Sequence, residues 1–308
     1  MIVVFGALNI DIMMPVHDFP KPGETVLCDK EYISRPGGKG ANQAIGAAKM
    51  GVRTAIVGQV GDDSFGRRSV KNLKAQGIWS SGVGISDRPT GCSTIAVNHN
   101  GDNFVITAPG ANLDTSEDQV PNEILSDKNI LLVQLEIRPE ETFAVLKRAK
   151  ANGATTIINP SPARNIMKEN LKNIDYLIVN EIESLQLAKN FKIENTEPMN
   201  LAKAIAELGN LTCIITLEER GAVAAKKDVI YTIPTLKVDV VDSTGAGDCF
   251  CGIFAARLHS GDDWLKALHY ASIGASLSCL GLGAQRSMPN LEDIEARLSV
   301  LEPPQKVD

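Results

Sequence analysis

Short apolar runs separated by stretches of helical spacing are the feature that most limits what this chain can fold into. Ile2 to Phe5, Thr54 to Val57, Ile130 to Leu135, Thr155 to Ile158, Tyr176 to Val179 and Cys213 to Thr216 each read as a buried strand. Between them, Asn42 to Met50, Phe65 to Gln76, Pro139 to Asn152 and Leu201 to Leu208 carry apolar residues at helical spacing, with Gly or Asn as stop signals. Strand, helix, strand repetition predicts a Rossmann-like α/β fold, a parallel sheet with helices on both faces. The 308 residues suffice for a large core and are read as one domain spanning 1–308.

Two segments depart from that rhythm. Residues 12–36 contain the turn Phe19-Pro20-Lys21-Pro22-Gly23 and then a strand-like ETVLCDKEYIS, while residues 91–108 read as a hairpin turning at Asn100-Gly101. Both are taken as strands of a small β-sheet lid inserted in the domain. Pro303 to Asp308 reads as a loose tail.

Composition removes several classes of function. With 31 Lys+Arg against 37 Asp+Glu the net charge is -6, and no basic block offers a footprint for nucleic acid. No stretch is apolar enough to span a membrane, and the N-terminus lacks a basic leader. Six cysteines without a C-x-x-C pair fit reduced thiols in a cytoplasmic protein. The four histidines have no metal-ligand spacing, and neither G-x-S-x-G nor H-E-x-x-H occurs.

Chemistry concentrates in Asp242-Ser243-Thr244-Gly245-Ala246-Gly247-Asp248, where a Gly-rich turn runs into the apolar helix CFCGIFAARLH. Small residues there let backbone N–H groups at a helix N-terminus approach an anion, and the helix dipole adds partial positive charge. Asp248, in the first turn, either caps the helix or acts as a general base toward a hydroxyl. Cys249 and Cys251 fall on different helix faces, which suits packing.

DSTGAGD resembles the second signature of the ribokinase-like carbohydrate kinase family, and Gly37-Gly38-Lys39-Gly40-Ala41-Asn42-Gln43-Ala44 resembles its first. The likeness spans nearly the whole chain in order, through Gly6 to Asp11, Gln134-Leu135-Glu136, Asn159-Pro160, Asn180 to Glu183, Thr216 to Gly221 and Gly283-Ala284-Gln285. NID, GGKGANQA, QLE and GAQ look like the ribose-kinase versions.

The resemblance implies transfer of the γ-phosphoryl group of ATP to the primary 5-hydroxyl of a sugar, with D-ribose foremost and Asp248 as base. It implies sugar contacts from Asn9, Asp11, Gly38, Lys39, Asn42 and Glu136, residue types that engage hydroxyls compactly. Read locally, Asn9 and Asp11 also suit a strand-end turn, and Glu136 a charge ahead of the helix at Pro139. The nucleotide side is implied at Asn180, Thr216, Glu218, Arg220 and Gly221, with Gly245, Ala246 and Gly247 at the phosphates. Asn180 and Glu183 match an N-x-x-E motif that positions magnesium and phosphate through water. A potassium site is implied at Asp242, Thr244, Ser278, Gly281, Gly283 and Ser287. Ser243 and the Gly-rich LSCLGLGAQ depart from the commoner pattern. No Walker A sequence is present, since Lys39 is followed by Gly40.

A homodimer through the lid is expected, because unpaired strand edges seek partners. Kinases for 2-deoxyribose, fructose or a nucleoside, and a non-catalytic sugar-binding protein, are the alternatives. A dehydrogenase would require G-x-G-x-x-G, which Gly6-Ala7-Leu8-Asn9 does not supply.

Overall fold

The computed structural model describes residues 1–100 and 102–307. In its first half the chain forms β1 (Ile2–Phe5), β2 (Asn9–Pro15), β3 (Ile33–Gly37), β4 (Thr54–Gly61), β5 (Trp79–Ser86), β6 (Gly91–Val97) and β7 (Asn103–Ala108). There follow β8 (Ile130–Gln134), β9 (Thr155–Asn159), β10 (Tyr176–Asn180), β11 (Thr212–Thr216), β12 (Ala222–Lys226), β13 (Val229–Ile233) and β14 (Gln305–Val307). The helices are α1 (Lys39–Ala48), α2 (Ser64–Ala75), α3 (Pro139–Ala151), α4 (Glu181–Phe191), α5 (Pro198–Gly209), α6 (Ala246–His259), α7 (Trp264–Ser278) and α8 (Leu291–Glu295).

Ten strands make one sheet in the order β14-β13-β12-β11-β10-β9-β8-β1-β4-β5, parallel from β11 to β5. All four residues of β1 are buried. Ile2 and Val4 point to a core shared with α1, α6 and α7, whereas Val3 and Phe5 point to a second core built with α3, α4 and α5. A strand covered on both faces must be apolar throughout, which is why the continuous runs, and not alternating ones, mark this sheet.

The chain leaves β1, makes its excursion, and lays β4 on one side of β1; β8 later returns on the other side. That reversal opens a crevice at the carboxyl ends of β1 and β8, where ligands bind in open α/β sheets. Residues 6–9 and 135–136 emerge there.

A separate four-stranded sheet has the order β3-β2-β6-β7. Asn103–Ala108 pairs antiparallel with β6 as a hairpin; Gly101 of the turn lies outside the described residues. The strand-like reading of residues 24–34 needs correction. The strand begins at Ile33, and residues 24–31 are exposed coil, with Leu27 87 % exposed. Val26, Leu27 and Cys28 are consecutive and do not alternate, and β3 already occupies that edge of the sheet. The C-terminal tail is also corrected: Gln305–Val307 pairs antiparallel with β13 and closes one edge of the large sheet, while Asp308 lies outside the described residues.

Candidate active site

The start of β2 carries Asn9 and Asp11, and the turn from β3 into α1 carries Gly37 to Lys39. Register pairing sets Asn9 against Gly37 and Asp11 against Arg35. A Cβ on Gly37 would lie 1.9 Å from Asp11 Oδ2, so the missing side chain is the space the carboxylate occupies. Gly38 caps α1 with φ of 88°, a left-handed conformation that favours glycine. The paired glycines thus have a local cause: one makes room for Asp11 and the next turns the chain into the helix.

Asn42 and Lys39 then fall on the first turn of α1. The Lys39 N–H donates to Glu136 Oε2 at 2.9 Å, which ties α1 to the loop after β8. Asn42 Nδ2 donates to Asp248 Oδ2 at 2.9 Å, and Gln43 Nε2 donates to Asp248 Oδ1 at 3.0 Å. Asp248 lies in the first turn of α6 and is buried. Its side chain does not cap the helix; Gly245 is the cap residue, and no side-chain hydrogen bond caps that end. The Ala246 N–H turns back to Ser243 O at 3.1 Å and the Cys249 N–H to Gly245 O at 2.8 Å. A first helical turn otherwise has no carbonyls one turn back, and a Cβ on Gly247 would meet nothing within 4 Å. The helix start is therefore open to an anion.

Four ionisable groups crowd this crevice. Burial, then the charges of Glu136 and Asp248, push the Asp11 carboxyl up to about 7, against a hydrogen bond from Ser93 and the charge of Lys39. Burial likewise raises Glu136, partly offset by Lys39. Burial disfavours the Lys39 ammonium, yet Asp248, Glu136 and Glu183 outweigh it and raise its pKa. One cation among several carboxylates leaves a site rich in acceptors, suited to donating hydroxyls.

Asn9 is 1 % exposed, and its Oδ1 accepts from Asn112 Nδ2 at 2.7 Å. Asn112 also bonds the N–H and carbonyl of Leu8, so it pins the whole β1–β2 corner. Sequence reasoning missed Asn112, which lies in an unremarkable turn more than a hundred residues away. It missed the side chains of Gln43, Gln134 and Asn159 as a group, although each belonged to a quoted motif. Gln285 Nε2 donates to Asn42 Oδ1 at 2.9 Å, and Gln285 Oε1 accepts from Asn72 Nδ2 at 2.8 Å. Cys249 and Cys251 are packed in the core, where burial pushes the Cys249 thiol up to about 12.

On the other side of the sheet's carboxyl edge, Asn180 and Thr216 are register partners at the ends of β10 and β11. Asn180 caps α4 in a reciprocal box: its Oδ1 accepts from the Glu183 N–H at 2.7 Å and Glu183 Oε2 accepts from the Asn180 N–H at 3.0 Å. Glu218 and Arg220 follow on a short turn, where Arg220 pairs with Glu181 at 2.5 Å. Gly221 has φ of 84°, and a Cβ there would lie 2.1 Å from Ile233 O, so the close approach it permits is to the neighbouring β13. Asp242 joins two loops by accepting from the Thr244 N–H at 2.9 Å and the Gly283 N–H at 2.8 Å. Ser287 Oγ donates to Gly283 O at 3.0 Å, Gly281 sits against Ser287, and the Ser278 hydroxyl donates to Ala275 O inside α7.

Comparison with known proteins gives one consistent relationship. Residues 1–291 match the family model described as pfkB family carbohydrate kinase. A ribokinase of Bacillus subtilis strain 168 is 35 % identical over 303 residues, covering 97 % of this chain and 99 % of that protein. The crystal structure of ribokinase from Thermotoga maritima superposes with a TM-score of 0.89 at 36 % identity, covering 97 % of this chain and 99 % of the other. Arabidopsis thaliana ribokinase complexed with ribose and ATP superposes with a TM-score of 0.86 at 29 % identity, covering 96 % and 98 %.

Proposed function

The chain belongs to the pfkB family of carbohydrate kinases and is a phosphotransferase, and from that premise we propose that it transfers the γ-phosphoryl group of MgATP to the primary 5-hydroxyl of D-ribose. The observation that carries this reading is Asp248: a buried carboxylate in the first turn of α6, held through both oxygens by side-chain amides beside an open helix start. Two N–H donors orient the carboxylate and leave lone pairs to accept a hydroxyl proton. As the sugar oxygen bonds to the γ-phosphorus and the bridging bond to ADP breaks, the hydroxyl proton passes to Asp248. Charge on the transferred group meets the N–H groups of Gly245 to Gly247 and the helix dipole.

Asn9, Asp11, Gly38, Lys39, Asn42 and Glu136 hold the sugar. Asn9 keeps its Nδ2 to donate, because Asn112 already engages its oxygen, and Glu136 keeps Oε1. The cavity of ≈ 380 Å³ beside Asp11 is lined by apolar Met13, Ile33 and Ile95 and by polar Arg35, Asn72 and Gln285, with no aromatic ring among the described residues that line it. That lining favours a free sugar over a nucleoside, whose base stacks on aromatic faces.

ATP lies along Asn180, Thr216, Glu218, Arg220 and Gly221. Glu183 would hold magnesium through water, because its Oε1 is left over from the capping box, and the ion would neutralise phosphate charge. Asp242, Thr244, Ser278, Gly281, Gly283 and Ser287 would hold potassium. They offer oxygens from two loops that Asp242 fastens together and from the end of α7, a ligand type that fits such an ion.

We place the chain in the cytoplasm. Its six cysteines are free, and among the described residues no helix is long and apolar enough to cross a membrane. The small sheet acts as a lid over the sugar and pairs two copies. Its outer strands β3 and β7 expose Ile33, Phe104, Val105 and Ile106. Light scattering that gives a monomer mass would contradict the pairing.

The test of the reaction is ADP formation from MgATP with ribose, 2-deoxyribose, fructose and adenosine, followed by phosphorus NMR of the product. Ribose turns over with the highest kcat/KM and yields a 5-phosphate. Preference for another acceptor keeps the chemistry and replaces the substrate, whereas sugar binding without any ADP marks a binding protein.

A further inference from the structure

We propose that Gln43 is a positioning residue for the reaction, whose side-chain amide holds the Asp248 carboxylate in the orientation from which it meets the sugar hydroxyl. The proposal rests on Asp248 as the base and deepens that reading. Gln43 is 0 % exposed, and the polar atoms of its side chain are all engaged by Asn159, Asp248 and Gln134, so it acts through those partners.

The orientation of the Gln43 amide follows from one backbone carbonyl. Asn159 Nδ2 donates to Ile178 O at 2.8 Å, and a carbonyl can only accept, so the other atom of that amide, Oδ1, faces Gln43. Gln43 must then present its NH2 group, and it uses both hydrogens: one to Asn159 Oδ1 at 3.2 Å, the other to Asp248 Oδ1 at 3.0 Å. Its own Oε1 is left facing Gln134, whose Nε2 donates to it at 2.6 Å. Exchanging O and N in any of the three amides would set acceptor against acceptor or donor against donor.

A second observation concerns the far end of the chain of amides. Gln134 Oε1 is buried without a protein partner, lodged where a Cβ on Gly6 would lie 2.0 Å away. What the unpaired oxygen secures is a donor aimed along Gln134, Gln43 and Asp248. Linked donors of one direction polarise each other toward the carboxylate.

The two donors of Asp248 differ in access. Asn42 is 5 % exposed and is tied onward to Gln285 and Asn72, both half-buried, so its bonds lead out toward solvent. Gln43 and Gln134, 0 % and 1 % exposed, lie inward of it on α1 and β8. Gln43 is therefore the donor that remains on Asp248 while substrate rearranges the other side.

The experiment measures kcat and both KM values, with melting curves, for Gln43→Met, Gln134→Met and the double variant, alongside Asp248→Asn. Met preserves volume and removes the amide. Gln43→Met lowers kcat by about 10- to 100-fold, the range of a hydrogen bond to a charged group, and leaves the KM for ribose and for ATP within about twofold. Gln134→Met removes one unpartnered oxygen and leaves Gln43 Oε1 without its donor, so its melting curve establishes that it is folded; it lowers kcat by about threefold. Because Gln134 acts through Gln43, the double variant is no slower than Gln43→Met. An unchanged kcat in Gln134→Met, a loss expressed in KM, or losses that multiply in the double variant would each overturn the assignment. Retained turnover in Asp248→Asn would instead remove the base reading on which it stands.

Discussion

Asn42 and Asp248, 206 residues apart in the sequence, are joined by a 2.9 Å hydrogen bond. The bond exists because α1 and α6 cross almost backbone to backbone. A Cβ on Gly252 would lie 2.4 Å from Gln43 O and 2.8 Å from the Ala47 nitrogen, and one on Gly46 would lie 3.4 Å from Cys249 O. Two glycine-bearing motifs with no sequence connection are brought into one site by that crossing.

Gly252→Ala should therefore separate the helices. The new methyl meets backbone, which cannot swing aside, so destabilisation of roughly 1–3 kcal/mol is expected. Thermal melting should show a Tm lower by several degrees. The kcat should fall more than the KM for sugar rises, since the Asp248 contacts open first. An unchanged Tm would mean the crossing is not tight.

The raised Asp11 pKa predicts a pH dependence of sugar capture. The carboxylate form accepts hydroxyl hydrogen bonds, and it is lost as pH falls through about 7. The kcat/KM for ribose should drop by about tenfold per pH unit below that point, and Asp11→Asn should remove this limb while lowering the plateau. Stability moves the other way. A carboxyl raised from 3.8 to about 7 on folding favours the folded state most below the unfolded value, and that contribution disappears as pH rises through about 7. The difference in Tm between Asp11→Asn and the wild type should grow in favour of the variant from pH 4 to pH 8.

Arg220 tests the nucleotide side. Its ion pair with Glu181 is exposed, and exposed pairs contribute little to stability. Arg220→Ala should leave the Tm within about 1 °C. If Arg220 reaches ATP, the KM for ATP rises about three- to tenfold with kcat nearly kept. An unchanged KM for ATP would confine Arg220 to its pair with Glu181.

The parallel strands were legible because burial on both faces demands continuous apolar runs, and β1, β8, β9, β10 and β11 begin within one residue of where those runs begin. Trp79–Ser86 was not, since its glycines and serines carry no such run and its place at the end of the sheet leaves it partly exposed. Residues 305–307 form a strand only because β13 offers a free edge, a tertiary fact invisible in QKV. The site divides along the same line. Paired glycines and an acidic first turn advertise themselves locally. Gln43 and Asn112 do not, because a buried amide draws its meaning from partners that the fold alone brings near.

The most direct test of the account is the single-turnover rate of ribose phosphorylation in Asp248→Asn, measured with ribose binding by calorimetry. The amide keeps the shape of the carboxylate and cannot take the proton, so the rate should fall by about 10²- to 10⁴-fold with ribose still bound within a few-fold of wild type. A rate within tenfold of wild type, with binding equally intact, would contradict the assignment of Asp248 as the base.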